Sequence, residues 1–374
     1  MPVKFSVIIV SFHARGFLEQ TLFSVRKASR NRKVEIIVSD NSLDDEVADM
    51  VKNDFPDVKL ITNPGNPGFA RANNIALEQA GGELIVFLNP DTILPESFFE
   101  ILEGVFKNNV NIGAAGVRMI DGAGCFLPES KRSIPGIWNS FTKLSGLADA
   151  FPRSRLFSGY YRNDVGEEER DFVEVLSGAC MVVKKTVLEK TGGFDERFFM
   201  YGEDIDLSYR ILQLGYRNIY LGDLTIIHFK GESSQKDEKY LSRFYGAMQL
   251  FVKKHYSPFS AAVLTLFIRL RKTVASFWRN PASEEKPIQL SCSFLGDGQS
   301  VKETQQLFHN LVKKNNDTLD IKVLCEGAQY AYEEIIQYIS EHRGGNFLIH
   351  GKGSKSVAGS FNRNTQGLVF SVDK

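Results

Sequence analysis

An α/β fold, a mostly parallel sheet with helices on both faces, is predicted by three features of the first half of this chain. The runs at residues 7–10, 34–38 and 84–88 are short, β-rich and almost continuously apolar, as strands buried on both faces must be. Between them, residues 17–28 and 70–80 space their apolar side chains at helical intervals. Turn signals close the segments, among them Ser39-Asp40-Asn41-Ser42 after the second strand and Gly81-Gly82 after the helix at 70–80. Strand and helix in strict alternation give a parallel sheet covered on both sides.

Taken in order, residues 7–10 form a strand, 17–28 a helix, 34–38 a strand, 47–51 a helix, 58–61 a strand, 70–80 a helix and 84–88 a strand. Residues 125–171 lack periodicity, and a segment that long is either a functional loop, such as a mobile lid, or a disordered one. Order resumes with a strand at 172–183, a helix from 207 to 214 with Gly215 as its stop, and strands at 218–221 and 225–227. Residues 280–287 carry two prolines and three charges and read as a linker. Beyond it the pattern βαβαβ–β spells a second, small α/β unit. The layout is therefore 1–256 as a catalytic domain, 257–287 as an amphipathic helix and linker, and 288–374 as a small α/β domain.

Composition excludes several classes. The 374 residues are 43% hydrophobic, with 45 Lys plus Arg balanced by 45 Asp plus Glu, so no global field draws the chain to nucleic acid. The four cysteines are scattered without a CxxC pair and read as reduced, buried thiols of a cytosolic protein, not a disulfide frame or zinc site. The opening run lacks a secretory cleavage site. No apolar stretch reaches the roughly 18 residues that span a bilayer; residues 259–278 come closest and are broken by Arg269, Arg271 and Lys272. That helix can pack on its own domain, on a second copy in a homodimer, or lie at a membrane surface.

The chemistry-bearing residues are mostly carboxylates at element ends. Asp40 and Asp91 follow strands, where open α/β sheets bind ligands, though each also suits an Asx turn or cap. Glu203-Asp204-Ile205-Asp206 can be simply the acidic first turn of a helix, yet Gly202 and the aromatics Phe198, Phe199 and Tyr201 just before it suit the floor of a pocket. His228 at a strand end is ordinarily a satisfied histidine and, beside a cation, a nitrogen ligand. Gly351-Lys352-Gly353-Ser354 fails the phosphate-loop spacing.

In order along the chain stand Ser11, Ser39-Asp40-Asn41-Ser42, Asn66-Pro67-Gly68-Phe69-Ala70-Arg71-Ala72-Asn73-Asn74, Asn89-Pro90-Asp91, Ser177-Gly178-Ala179, Gly193-Phe194-Asp195, Glu203-Asp204-Ile205-Asp206 with Arg210, and His228. This series resembles the family 2 inverting glycosyltransferases of GT-A fold, in particular their bacterial rhamnosyltransferase-like branch, over residues 4–256. The resemblance implies a nucleotide-sugar donor, UDP- or dTDP-linked, and an acceptor hydroxyl on a glycan or lipid carrier. It implies that Asp40, helped by Ser11, reads the pyrimidine, and that Asn74 shapes the donor site. Asp91 and His228 would hold a divalent cation, Mg²⁺ or Mn²⁺; Asp204 would be the catalytic base, with Glu203 and Gly178 positioning sugar or acceptor. Asn89 departs from the first acid of the family's Asp-x-Asp, and Phe12-His13 from its usual Tyr-Asn. Two rivals remain: nucleotidyl transfer, which expects a basic glycine-rich loop where Ser11-Phe12-His13-Ala14 stands, and a non-catalytic nucleotide-sugar- or glycan-binding scaffold.

Overall fold

The computed structural model describes residues 4–136, 142, 159–230, 238–263, 265–266, 289–307, 318–361 and 367–371. Strands β1 (Phe5–Ser11), β2 (Val34–Asp40), β3 (Lys59–Thr62) and β4 (Leu84–Leu88) are mutually parallel where they pair, with helices α1 (Arg15–Ala28), α2 (Glu46–Asp54) and α3 (Phe69–Glu78) between them. β5 (Thr92–Ile93), α4 (Phe98–Asn108) and β6 (Ile112–Ile120) follow. The nine-stranded sheet runs β3-β2-β1-β4-β10-β6-β11-β5, with β8 (Arg170–Val173) on β11. β10 (Cys180–Lys184) lies antiparallel between β4 and β6, and β11 (Arg217–His228) runs parallel to β6.

Apolar residues in consecutive strand positions feed two cores. Val7, Ile9, Val86 and Leu88 enter one, while Ile8, Ile85 and Phe87 enter the other. Successive side chains in a strand point to opposite faces, so a continuous apolar run is what a sheet covered on both sides requires. The mostly parallel α/β fold expected from the sequence is the fold observed.

Several expectations are corrected in detail. The strand expected over 172–183 is three pieces, β8, β9 (Val175–Leu176) and β10, broken at Ser177-Gly178-Ala179. The strands expected at 218–221 and 225–227 are one strand, β11, with a register shift between Leu221 and Thr225. Residues 125–136, expected to open a mobile loop, are partly interior: Leu127, Ser130, Lys131 and Arg132 are buried, and β7 (Lys131–Arg132) pairs with β9. The expected lid's centre and the linker at 280–287 lie outside the described residues. Of the cysteines read as buried, Cys180 and Cys325 are, but Cys125 is exposed and Cys292 half-buried; all four are free.

Helices α5 (Lys185–Thr191), α6 (Glu203–Gln213) and α7 (Glu238–His255) complete the first unit. The C-terminal unit is a five-stranded sheet in the order β12 (Gln289–Gly296), β13 (Thr318–Cys325), β14 (Phe347–His350), β15 (Ser356–Gly359), β16 (Leu368–Ser371), with α8 (Gly298–Leu307) and α9 (Tyr332–Glu341). β15 was not foreseen from sequence. Among the described residues no helix is long and apolar enough to cross a membrane.

Candidate active site

The parallel strands bring their carboxyl ends to one edge, and the candidate residues line it. Ser11 and Asp40 end β1 and β2 and are register partners. Both are fully buried, and the Ser11 hydroxyl and Asp40 Oδ2 each lack a hydrogen-bond partner. Asp40 Oδ1 accepts from the Ser42 N–H (3.1 Å) and hydroxyl (2.7 Å), the Asx turn its sequence allows. One carboxylate oxygen thus builds the turn and the other is left without a partner. Burial raises the Asp40 pKa above its ordinary value, against the lowering by Ser42. Beside them, His13 Nδ1 sits 2.7 Å from the Asp44 carboxylate and Phe12 is 45% exposed, a platform and not a sealed pocket wall.

Asn89-Pro90-Asp91 follows β4, and His228 ends β11, which pairs with β5 so that His228 faces Thr92. Asp91 Oδ1 lies 3.4 Å from His228 Nε2, both residues are buried, and His228 Nδ1 has no hydrogen-bond partner. Asn89 Nδ2 lies 3.2 Å from the same Nε2. The Asp91 carboxylate oxygen and His228 Nε2, buried and facing each other, are donor types that fit a divalent cation. Among the described residues no group of three His, Cys, Asp or Glu could hold a metal ion, so such a cation would depend on ligand oxygens for the rest of its coordination, as Mg²⁺ sites commonly do.

The third part is the opening of α6. Tyr201 (φ 70°) and Gly202 (φ 81°) adopt successive left-handed conformations, turning the chain so that the helix begins with Glu203 and Asp204. A non-glycine residue there costs of order 1–3 kcal/mol and persists only where surroundings enforce it. Asp204 Oδ2 accepts from Arg132 (2.6 Å) and from the Gly178 N–H (3.1 Å), and Oδ1 from the Ile205 N–H (2.8 Å). Gly178 keeps this approach close: a Cβ there would stand 3.2 Å from Asp204 Cβ, tighter than most side-chain contacts. Glu203 is buried with Oε2 unpartnered, and burial, reinforced by the Asp204 charge, raises its pKa. Of the two neighbouring acids, Glu203 is therefore kept protonated while Asp204 is paired with a cation.

Arg132 escaped the sequence reading because it sits in the stretch lacking periodicity. It is buried, and also donates to Leu176 O at 2.9 Å. Burial alone would lower its pKa; the Asp204 charge beside it more than compensates, raising it. Asn74 is placed differently from expectation. Its Oδ1 accepts from Phe194 N–H and its Nδ2 donates to Phe194 O, both at 2.9 Å, so it fastens the Gly193-Phe194 turn and presents no open group. Asp206, in the same acidic motif, is fully buried and receives Lys254, His255 and Arg210, each at 2.7 Å. It anchors α7 to α6 and takes no part in the row along the sheet edge.

The sequence pattern of the glycosyltransferase-like family 2 matches residues 2–247. Among curated proteins, the N-acetylglucosaminyl-diphospho-decaprenol L-rhamnosyltransferase of Mycobacterium tuberculosis is 26% identical over 275 residues, covering 70% of this chain and 88% of that protein. The rhamnosyltransferase WbbL of Escherichia coli is 25% identical over 234 residues, covering 60% and 82%. Among solved structures, a mannosyltransferase from Pyrobaculum calidifontis in complex with GDP-Man and Mn²⁺ superposes with a TM-score of 0.49 at 17% identity, over 75% of this chain and 76% of that one. That likeness is too loose to carry an argument about the site. The family match spans the whole row of residues just described, from Ser11 to His228, and the chain belongs to the glycosyltransferase-like family 2.

Proposed function

We propose that this glycosyltransferase moves a sugar, with inversion, from a UDP- or dTDP-linked donor to a hydroxyl of a glycan or lipid-linked acceptor in cell-surface polysaccharide synthesis. The observation that carries the reading is the unequal pair at the start of α6: an Asp204 held by Arg132 and the Gly178 N–H beside a Glu203 kept neutral by burial. A hydroxyl is a poor nucleophile, and a base near the anomeric carbon must take its proton as the new bond forms. Asp204, beside the Arg132 guanidinium, is placed for that task, and the buried Glu203 is not. Glu203 is suited to donate a hydrogen bond to sugar or acceptor.

At the other end of the row, Ser11 and Asp40 Oδ2 supply buried polar atoms in need of partners, which a pyrimidine N3–H and its carbonyl would satisfy. Leaving them unpaired costs about 1–3 kcal/mol per group, so the empty edge favours a ligand. Asp91 and His228 would hold a divalent cation, Mg²⁺ or Mn²⁺, which when bound neutralises charge developing on the leaving diphosphate. A relative that acts on a diphospho-decaprenol substrate supports a lipid-linked acceptor. Membrane-surface contact is part of the proposal: Phe259 and Leu266 are 79% and 58% exposed, and Leu266 and Lys253 line an open groove of about 500 Å³. Lys254, the next residue, is turned inward to Asp195 and Asp206 and adds no charge to that groove.

Isothermal titration of UDP and dTDP with and without Mn²⁺ tests the donor site. Affinity should rise with Mn²⁺ in the wild type and lose that rise in Asp91→Ala and His228→Ala. Asp204→Asn should bind the nucleotide within a few-fold of wild type while turnover falls at least 100-fold, the scale of a lost general base. Parallel loss of affinity and rate would make Asp204 a binding residue and overturn the assignment.

A further inference from the structure

The C-terminal unit lies beyond the family match, which ends at residue 247. Its most plausible ligand site would be the carboxyl edge of its own sheet, where open α/β sheets bind. That edge is already covered by α1. Gln20 Nε2 donates to Ser354 Oγ (2.9 Å) and Ser356 O (2.7 Å), and Gly351 N–H donates to Gln20 Oε1 (2.8 Å). Glu326, which follows β13 as Asp40 follows β2, is bound by Lys27 of α1 and by the Lys352 N–H at 3.0 Å. The edge is used for an intramolecular contact.

What the contact holds is specific. Thr21, next to Gln20 on α1, places its hydroxyl 2.7 Å from Pro90 O and 2.9 Å from Thr92 O, and accepts from the Thr92 N–H at 3.1 Å. One helix therefore grips the C-terminal unit with one residue and the Asn89–Thr92 turn with the next. The other half of the pair is held directly. Ser360, fully buried after β15, donates to Phe229 O at 2.7 Å, and the Phe229 N–H donates to Asp91 O at 2.9 Å. Ile93, Ile227 and Phe229 share one apolar core with Leu324, Ile336 and Ile349 of the C-terminal unit. Glu96, just beyond β5, accepts from the Tyr332 and Glu333 N–H groups that open α9.

We propose that the C-terminal unit is a positioning element for Asp91 and His228, setting their separation through Ser360 on the His228 side and Gln20–Thr21 on the Asp91 side. This rests on the reading of Asp91 and His228 as cation ligands. Groups behind metal ligands typically tune affinity by roughly 10–100-fold. Ser360→Ala and Gln20→Met should each raise the Mn²⁺ concentration needed for half-maximal enhancement of UDP binding by roughly tenfold, with UDP affinity in EDTA within about twofold of wild type. An unchanged Mn²⁺ requirement in both variants, each unfolding in one cooperative transition, overturns the proposal. A wild type whose UDP affinity ignores Mn²⁺ overturns the cation reading, and the proposal with it. Should the variants not fold, native-state hydrogen exchange on the wild type decides. The amides of 227–229 should open together with β14 and α9; an opening of the C-terminal unit that leaves 227–229 protected overturns it.

Discussion

Arg132 and Glu203 fix the electrostatics around Asp204 from opposite sides. The Arg132 guanidinium, with 11% of its side chain exposed, lies 2.6 Å from Asp204, and removing one partner of so enclosed a pair leaves an uncompensated charge costing about 3–5 kcal/mol. Arg132→Ala is expected to lower turnover more than UDP affinity, with added guanidinium restoring part of the rate and Arg132→Lys intermediate. No rescue, together with a loss of rate no larger than the loss of thermal stability accounts for, would reduce Arg132 to a packing residue. Glu203 gives a pH dependence. Its folded pKa is raised above 4.5, so the folded state keeps a proton that the unfolded chain has released, and stability falls as pH rises from about that value through the raised one. Glu203→Gln mimics the neutral acid, so the gap between variant and wild-type melting temperatures should widen in favour of the variant as pH rises. A gap constant from pH 4 to 8 would mean that folding leaves the Glu203 pKa at its unfolded value.

At the scale of elements, the site depends on two interruptions of regular structure. The break at Ser177-Gly178-Ala179 between β9 and β10 frees the Gly178 N–H to reach Asp204. The left-handed pair Tyr201-Gly202 aims the first turn of α6 at that break. Gly178→Ala would force a Cβ against Asp204 at 3.2 Å, closer than such contacts settle. It should cut turnover at least tenfold, with a far smaller change in UDP affinity and an unfolding midpoint within a few degrees of wild type, because the surrounding strands keep their pairing. Turnover equal to wild type would show that the base tolerates displacement and that Gly178 is incidental. Elsewhere the acidic motif is structural: Asp206 joins α6 to α7 through Lys254 and His255, and His255 packs at 4.6 Å from the Tyr209 ring.

For the whole molecule, the two sheets work as one body around α1, and the sequence reading of a tail behind a linker understates their union. The segment after α7 keeps Ala261 in the core beside Phe251 and leaves Phe259 and Leu266 exposed. Liposome flotation should find the protein with vesicles containing anionic lipid at low salt and release it at high salt, since each basic residue near such a surface adds about 1 kcal/mol that screening removes. Protein remaining at the bottom of the gradient at low salt would leave the helix to an intramolecular or subunit contact.

The first four strands and the helices between them, and with them the sheet edge that carries Ser11, Asp40 and Asp91, were legible in the sequence, whereas β5, α4 and β6 were not. Local periodicity and turn chemistry are properties of neighbouring residues, and the parallel strands β1, β2 and β4 then send their carboxyl ends to the same side. Asp40 shows the limit of such a reading: its Asx turn was legible, whereas the free Oδ2 beside Ser11 appeared only once β1 and β2 were in register. Arg132 meets Asp204 across 72 positions of chain, Asn74 meets Phe194 across 120, and Ser360 meets Phe229 across 131. Contacts of that kind leave no periodic trace, because they are set by how surfaces pack and not by spacing along the chain. Only the tertiary structure could therefore decide which acid stays neutral, which asparagine is spent on a turn, and that the C-terminal unit supports the edge where the chemistry is proposed.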